Sequence, residues 1–247
     1  MFGLPDRIRA CLFDLDGVLT QTAMVHAEAW KAMFDAYLRG RAARTDEPFI
    51  PFDAVDDYDR FVDGKPRLDG VRTFLASRAI ELPAGGPGDP PGAETITALG
   101  ERKNRMVLRL IRERGVAPYE GSVRFVRAAR AAGLRTAVVS SSTNCREVLR
   151  AAGIEDLFEV RIDGLVAERQ HLRGKPAPDT FLAGARALEI PPARAAVFED
   201  ALAGVAAGRA GDFGWVVGVD RVGQAEALRA HGADLVVRDL ADLLELP

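Results

Sequence analysis

The sequence predicts an α/β fold, a Rossmann-like and mostly parallel sheet core carrying an inserted small α-helical cap. Three observations predict it. From residue 121 onward, apolar runs of strand length alternate with segments of helical periodicity, which is the pattern of a parallel sheet covered by helices. One further strand-like run stands far upstream, at residues 8–13. Between the two, residues 23–118 carry helical patterns and no convincing strand.

The elements follow in order. "IRACLFDLD" is a β-branched and aromatic run that reads as a buried strand over residues 8–13. Residues 23–38 place apolar side chains at helical spacing, with Thr22 as a helix cap. A polar, proline-marked stretch follows. "DAVDDYDRFV" at 53–62 then reads as a short helix, and 67–80 and 93–115 as two longer ones, separated by the loop "ELPAGGPGDPPG" at 81–92. Beyond residue 121 the expected series is helix 122–133, strand 134–140, helix 144–154 and strand 158–163. A glycine-proline segment leads to helix 177–190, strand 195–200, helix 201–210 and strand 215–220. Helix 224–232, strand 233–237 and helix 240–246 complete it. The first strand is expected to join this sheet. The predicted division is a core of residues 1–22 and 119–247 and a cap of residues 23–118, above the carboxyl edge where open α/β sheets bind ligands.

Composition narrows the function. A chain of 247 residues with 48% hydrophobic and 28% charged content has enough apolar surface for a sizeable core. Its net charge of −3 is too balanced for a nucleic-acid or polybasic membrane binder, which points to small solutes or another protein. Two cysteines, Cys11 and Cys145, fall inside predicted elements and offer no disulfide framework. With no signal peptide or apolar span in view, the expected location is the cytoplasm.

Four stretches carry chemistry. In "CLFDLDGVLTQT", Asp14 and Asp16 stand at the end of the first strand. Two carboxylates that close repel unless a cation or a shared proton relieves them. Mg²⁺ would do so through Asp14 and a backbone oxygen at Asp16, whereas a capped turn would need only one aspartate. "VVSSSTN" puts Ser140, Ser141 and Ser142 between a strand and a helix start, which suits a phosphate seat or a capping turn. "LRGKPAPD" holds Lys175 ahead of two prolines that restrict its loop, although a solvated lysine reads the same way. "AAVFEDALAG" ends a second apolar strand in Glu199 and Asp200, with Gly204 in the helix beyond. Asp200 could simply cap that helix, but two acid-tipped strands in one sheet could also meet across a single cation.

In this order, "DLDGV", the serine turn, "GKPAPD" and "FEDALAG" resemble the four signature motifs of the haloacid dehalogenase superfamily. The helical insert is similar to the small cap of its beta-phosphoglucomutase-like branch. The resemblance implies that Asp14 is the nucleophile that becomes an aspartyl-phosphate and that Asp16 is the general acid/base. It implies that Ser140 holds phosphoryl oxygens, that Lys175 neutralises charge, and that Asp14, Asp16, Glu199 and Asp200 form the Mg²⁺ site, with Asp200 the firmer ligand. In the cap, "TQTAMVHAEAWKAMF" puts His26 and Trp30 on one helix face. "GKPRLDG" supplies Arg67 and "ERKN" supplies Lys103 and Asn104. The branch implies substrate contacts for these five and for Ser142 and Asn144. On periodicity alone, His26 and Trp30 also read as core residues, and Arg67 and Lys103 as solvated charges.

The implied activity is a Mg-dependent phosphotransferase that interconverts beta-glucose 1-phosphate and glucose 6-phosphate through a sugar bisphosphate. The chain departs from the branch at Gln21, where an aspartate is expected, and at Thr143, where a lysine is expected. A sugar-phosphate phosphatase is therefore the alternative, with a non-catalytic sugar-phosphate-binding protein behind it. The expected partners are a sugar phosphate and a sugar bisphosphate, with no nucleic acid and no membrane. The chain is expected to be a monomer, linked in function to a disaccharide phosphorylase.

Overall fold

The computed structural model describes residues 2–246. Met1 and Pro247, the outer limits of the predicted core, lie outside the described residues. Parallel strands covered on both faces read as unbroken apolar runs. The central strands come close to that, whereas the edge strand β3 carries Arg161: the six are β1 (Ala10–Phe13), β2 (Arg135–Val139), β3 (Val160–Ile162), β4 (Ala195–Glu199), β5 (Trp215–Val219) and β6 (Leu235–Val237). They form one parallel sheet in the order β3-β2-β1-β4-β5-β6. The chain builds outward from β1 in one direction, then crosses back to start β4 on its other side. Open sheets bind ligands beyond the strand ends at such a reversal.

Two compact units emerge, Met1–Thr22 with Gly64–Pro66 and Val116–Pro247, and Ala23–Asp63 with Arg67–Gly115. In the first, helices α4 (Glu120–Ala131), α5 (Cys145–Ala151), α6 (Gly164–Arg169), α7 (Asp179–Ala187), α8 (Leu202–Ala210) and α9 (Ala225–Ala230) connect the strands. One face of the sheet buries Leu12, Val139, Val197 and Phe181. Phe13 stacks on Phe198 at 4.5 Å, with the Phe125 ring 6.1 Å away, edge-on to Phe13. Each such side chain contributes about 1.5–3 kcal/mol by leaving water. The short α6 falls in the segment read as glycine-proline loop, where the Asp163 side chain caps it by accepting from the Val166 N–H at 2.9 Å. The terminal helix is a 3₁₀ turn, Leu240–Glu245, closed by a capping box of Asp239 and Asp242.

The second unit is helical. It holds α1 (Ala23–Thr45), α2 (Arg67–Ser77) and α3 (Ile96–Arg114) around Trp30, Phe34, Phe52 and Phe74. Phe34 lies 5.2 Å from the Trp30 ring and 4.1 Å from Phe74. α1 runs beyond the expected 23–38 because the arginines and alanines of "RGRAART" favour helix strongly enough to carry Gly40. α3 starts at Ile96, since the Thr95 side chain accepts from the Ala98 N–H and fixes the cap there. The stretch expected as a short helix at 53–62 instead closes as a π-helix at Tyr58–Val62, with the Asp63 N–H donating to the Tyr58 carbonyl. No helix among the described residues is long and apolar enough to cross a membrane.

Candidate active site

β1 ends at Phe13, so Asp14 leaves the sheet at the strand tip while its N–H still donates to the Phe198 carbonyl at 2.9 Å. β4 pairs Phe198 with Phe13 and ends in Glu199, followed by Asp200. The two acid-tipped strands are therefore neighbours. Asp14, Glu199 and Asp200 are all buried, and each offers an oxygen within 4.8 Å of the others.

The loop ahead of α7 delivers Lys175 to these acids. Its ammonium donates to Asp14 Oδ1, to Glu199 Oε1 at 2.5 Å and to the Val139 carbonyl at 3.2 Å, over the Phe181 ring. Burial opposes that charge, but attraction from Asp14 and Glu199 outweighs it and holds the ammonium above its usual range. Burial also raises the Asp14 carboxyl well above the usual carboxylate range; Lys175 works against the rise, and Glu199 and Asp16 add to it. One ammonium thus pairs with two of three clustered buried carboxylates, an all-oxygen donor set with excess negative charge. Such a set fits a hard divalent cation, Mg²⁺. Glu199 has both oxygens engaged, Oε1 by Lys175 and Oε2 by the Ala201 N–H at 3.0 Å. That commitment makes Glu199 a poorly placed direct ligand.

Two glycines let backbone come this close. Gly17 has φ +85°, and a Cβ there would strike the Asp200 carboxylate; at Gly204 it would strike that of Glu199.

Asp16 is held differently. Its Oδ1 accepts from the Thr22 hydroxyl, which lies 2.7 Å from the Thr20 hydroxyl, and both threonines are buried. Sequence reasoning took Thr22 only as a helix cap and missed this contact. The available signal was two hydroxyl residues two positions apart after the glycine turn, spaced to point to one side.

The serine turn folds on itself. The Ser140 Oγ accepts from the Ser142 N–H at 3.0 Å, and the Ser142 Oγ accepts from the Asn144 N–H at 3.1 Å. Accepting leaves each hydroxyl its proton to donate. Asn144 occupies the position before α5 without capping it by its side chain. Ser141 donates to the Gly64 carbonyl at 2.7 Å.

In the helical unit, His26 and Trp30 lie on α1, Arg67 opens α2, and Lys103 and Asn104 follow each other on α3. Lys103 is buried with its ammonium 2.8 Å from His26 Nδ1 and 4.6 Å from the Trp30 ring centroid. An ammonium only donates, so Nδ1 accepts and the imidazole proton resides on Nε2. Trp30 is 3% exposed and belongs to the aromatic core. Arg67 donates to Glu101 Oε1 at 2.6 Å. Sequence reasoning did not single out Glu101, because an acid one position before Arg102 on a polar helix face looks solvated.

Residues 8–212 match the family of haloacid dehalogenase-like hydrolases. A beta-phosphoglucomutase of Mycobacterium tuberculosis (strain CDC 1551 / Oshkosh) is 58% identical over 247 residues, spanning 99% of this chain and 94% of its own. The beta-phosphoglucomutase of Bacillus subtilis (strain 168) is 33% identical over 243 residues, spanning 97% and 93%. Among solved structures, the beta-phosphoglucomutase from Clostridium difficile superposes with a TM-score of 0.75 at 27% identity, covering 96% of this chain and 93% of that one. Likeness along the whole chain, on a sheet whose adjacent strands end in these acids, makes the protein a haloacid dehalogenase-like hydrolase of the beta-phosphoglucomutase-like branch.

Proposed function

We propose that the protein is a Mg²⁺-dependent phosphomutase that interconverts beta-glucose 1-phosphate and glucose 6-phosphate, with Asp14 carrying the phosphoryl group between them. A carboxylate oxygen of Asp14 attacks phosphorus in the sugar bisphosphate, the bond from phosphorus to the sugar oxygen breaks, and Asp16 gives its proton to that oxygen. In the return direction a hydroxyl of the sugar monophosphate attacks the aspartyl-phosphate, Asp16 takes the proton, and Asp14 is released as carboxylate. Thr22 orients Asp16 for both transfers. Lys175 and the Ser140 hydroxyl bind the phosphoryl oxygens. Mg²⁺, held by Asp14, Asp200 and the Asp16 backbone carbonyl with Glu199 alongside, supplies neutralisation of the charge on the transferred group.

A mutase needs a second anion site for the phosphate that is not reacting. On this reading Arg67, Lys103, Asn104, Ser142 and Asn144 bind that phosphate and the sugar. His26 donates from Nε2, and Trp30 backs the Lys103 cation. The observation that carries the mutase over a simple phosphatase is the 58% identity to the M. tuberculosis mutase along essentially the full chain. We further place the protein as a cytoplasmic monomer consuming the beta-glucose 1-phosphate released by a disaccharide phosphorylase; its two buried free thiols suit a reducing compartment.

A sugar-phosphate phosphatase is the second reading, favoured by the Arg67–Glu101 pair, which sets a carboxylate on the cation proposed for the distal phosphate. Product analysis decides. With beta-glucose 1-phosphate, Mg²⁺ and a glucose bisphosphate primer, glucose 6-phosphate is expected; inorganic phosphate as the main product would establish the phosphatase instead.

A further inference from the structure

We propose that Arg221 and Gln224, on the loop after β5, are positioning residues that fasten together the two loops bearing the metal-site acids; this rests on the Mg²⁺ reading above. The Arg221 Nε donates to the Gly17 carbonyl at 2.9 Å, one residue past Asp16. The Gln224 Nε2 donates to the Asp200 carbonyl at 3.0 Å. One short loop therefore grips the backbone beyond β1, which supplies Asp14 and Asp16, and the backbone beyond β4, which supplies Asp200 next to Glu199 at the strand end.

The loop is built to hold its shape. Asp220 Oδ1 accepts from the N–H groups of Gly223 at 2.7 Å and Gln224 at 2.8 Å, closing the turn from which Gln224 projects. Arg221 is mounted from other directions. Its guanidinium stacks 3.6 Å over the Tyr119 ring, and Nη1 donates to the Arg238 carbonyl at 2.9 Å and to Asp239 Oδ2 at 3.0 Å. Asp239 is itself fixed by accepting from the Ala241 N–H. A planar guanidinium with donors on several edges serves the ring, the β6 end and Gly17 at once, which a lysine ammonium does not. Arg221 Nη2 is buried without a partner among the described residues. Keeping a desolvated donor opposes stability, so the geometry points to a role in placing Gly17.

The effect on metal affinity separates this role from simple electrostatics. Removing a cation near a cation site strengthens Mg²⁺ binding by Coulomb's law. Loosening a support behind the ligands weakens it, by about tenfold for outer-shell partners. Mg²⁺ alone is titrated calorimetrically into the EDTA-stripped full chain and into Arg221→Ala, Arg221→Lys, Gln224→Ala and Asp200→Asn. The expected result is about tenfold weaker Mg²⁺ binding in Arg221→Ala and Gln224→Ala, with Arg221→Lys intermediate. The Mg²⁺ concentration for half-maximal turnover is expected to rise in parallel, while turnover at saturating Mg²⁺ changes less. Unchanged or tighter Mg²⁺ binding in folded Arg221→Ala and Gln224→Ala overturns the proposal. If Arg221→Ala does not fold, Gln224→Ala decides by the same criterion. Asp200→Asn is the control: if it retains wild-type Mg²⁺ affinity, the metal assignment fails, and this proposal fails with it.

Discussion

The core and the helical unit handle buried charge in opposite ways. In the core, Asp14 and Glu199 sit on the ends of paired parallel strands, and Lys175 enters from a loop to bind both. In the helical unit, Lys103 is buried against a neutral imidazole nitrogen and an aromatic face, and Arg67 pairs with the half-exposed Glu101. The first arrangement surrounds one cation with excess anionic charge and suits a metal. The second sets one cation against an imidazole and a ring and the other against a half-exposed acid, so only Lys103 lacks a carboxylate among the partners named. Sheet register fixes the first, whereas helix faces and side-chain rotamers fix the second.

The largest effect expected of any substitution is at the strand tip. Asp14→Asn removes the proposed nucleophile and is expected to lower both mutase and phosphatase rates by about 10⁴-fold or more. Turnover measured with primed beta-glucose 1-phosphate and with a generic phosphomonoester checks this; substantial activity in either assay would place the nucleophile elsewhere.

Next comes the buried cation. Lys175→Met leaves buried carboxylates without their ammonium and is expected to cost about 3–5 kcal/mol of stability in metal-free protein. Urea unfolding with and without Mg²⁺ measures it, and saturating Mg²⁺ is expected to restore part of the loss. A loss of the same size in both conditions would mean that Lys175 and the metal do not share the same carboxylates.

Arg67 tests the other side of the comparison. Arg67→Ala removes the charge-assisted contacts proposed for the distal phosphate and is expected to lower mutase kcat/KM by about 10- to 100-fold. Hydrolysis of a small phosphomonoester, which has no second phosphate, should change far less. Equal losses in the two assays would assign Arg67 to the fold rather than to the substrate.

The smallest effect is a slope with pH. In metal-free protein the raised Asp14 carboxyl keeps its proton at pH values where the unfolded chain has released it. Its contribution therefore falls as pH rises from about 4 through the raised value. The amide introduced by Asp14→Asn does not titrate. The melting temperature of this variant minus that of the wild type is thus expected to grow over that window in EDTA and to shrink in Mg²⁺. A flat difference would show that the site carries no uncompensated charge.

The core was the more legible half of the sequence. Strands buried on both faces leave apolar runs, and an acid at the end of such a run stands out twice, at "LFDLD" and "VFED". The sequence suggested that these ends meet across a cation; that they sit on directly paired strands is a matter of strand order, which the sequence alone does not fix. Thr22, Glu101, Arg221 and Gln224 were missed for a common reason. Each is polar, and each sits where polar residues are expected on exposed loops, caps or helix faces; only the partner distinguishes its role. Trp30 shows the converse limit, since the same i, i+4 spacing serves a sugar pocket or an aromatic core, and the structure packs it against Phe34. Length was the least legible property of the helical unit, as α1 and the π-helix show.

The strand order has a consequence for the life of the chain on the ribosome. Asp14 is made well before its partner Lys175, which lies 161 residues downstream, and Glu199 comes later still. The proposed nucleophile therefore emerges long before the lysine and acids that surround it, and the site is born only when β4 slots in beside β1. A nascent or prematurely ended chain lacking β4 carries the signature aspartates without chemistry. Non-local pairing of this kind delays folding, and in doing so it keeps the carboxylate proposed to carry the phosphoryl group silent until the sheet is nearly complete.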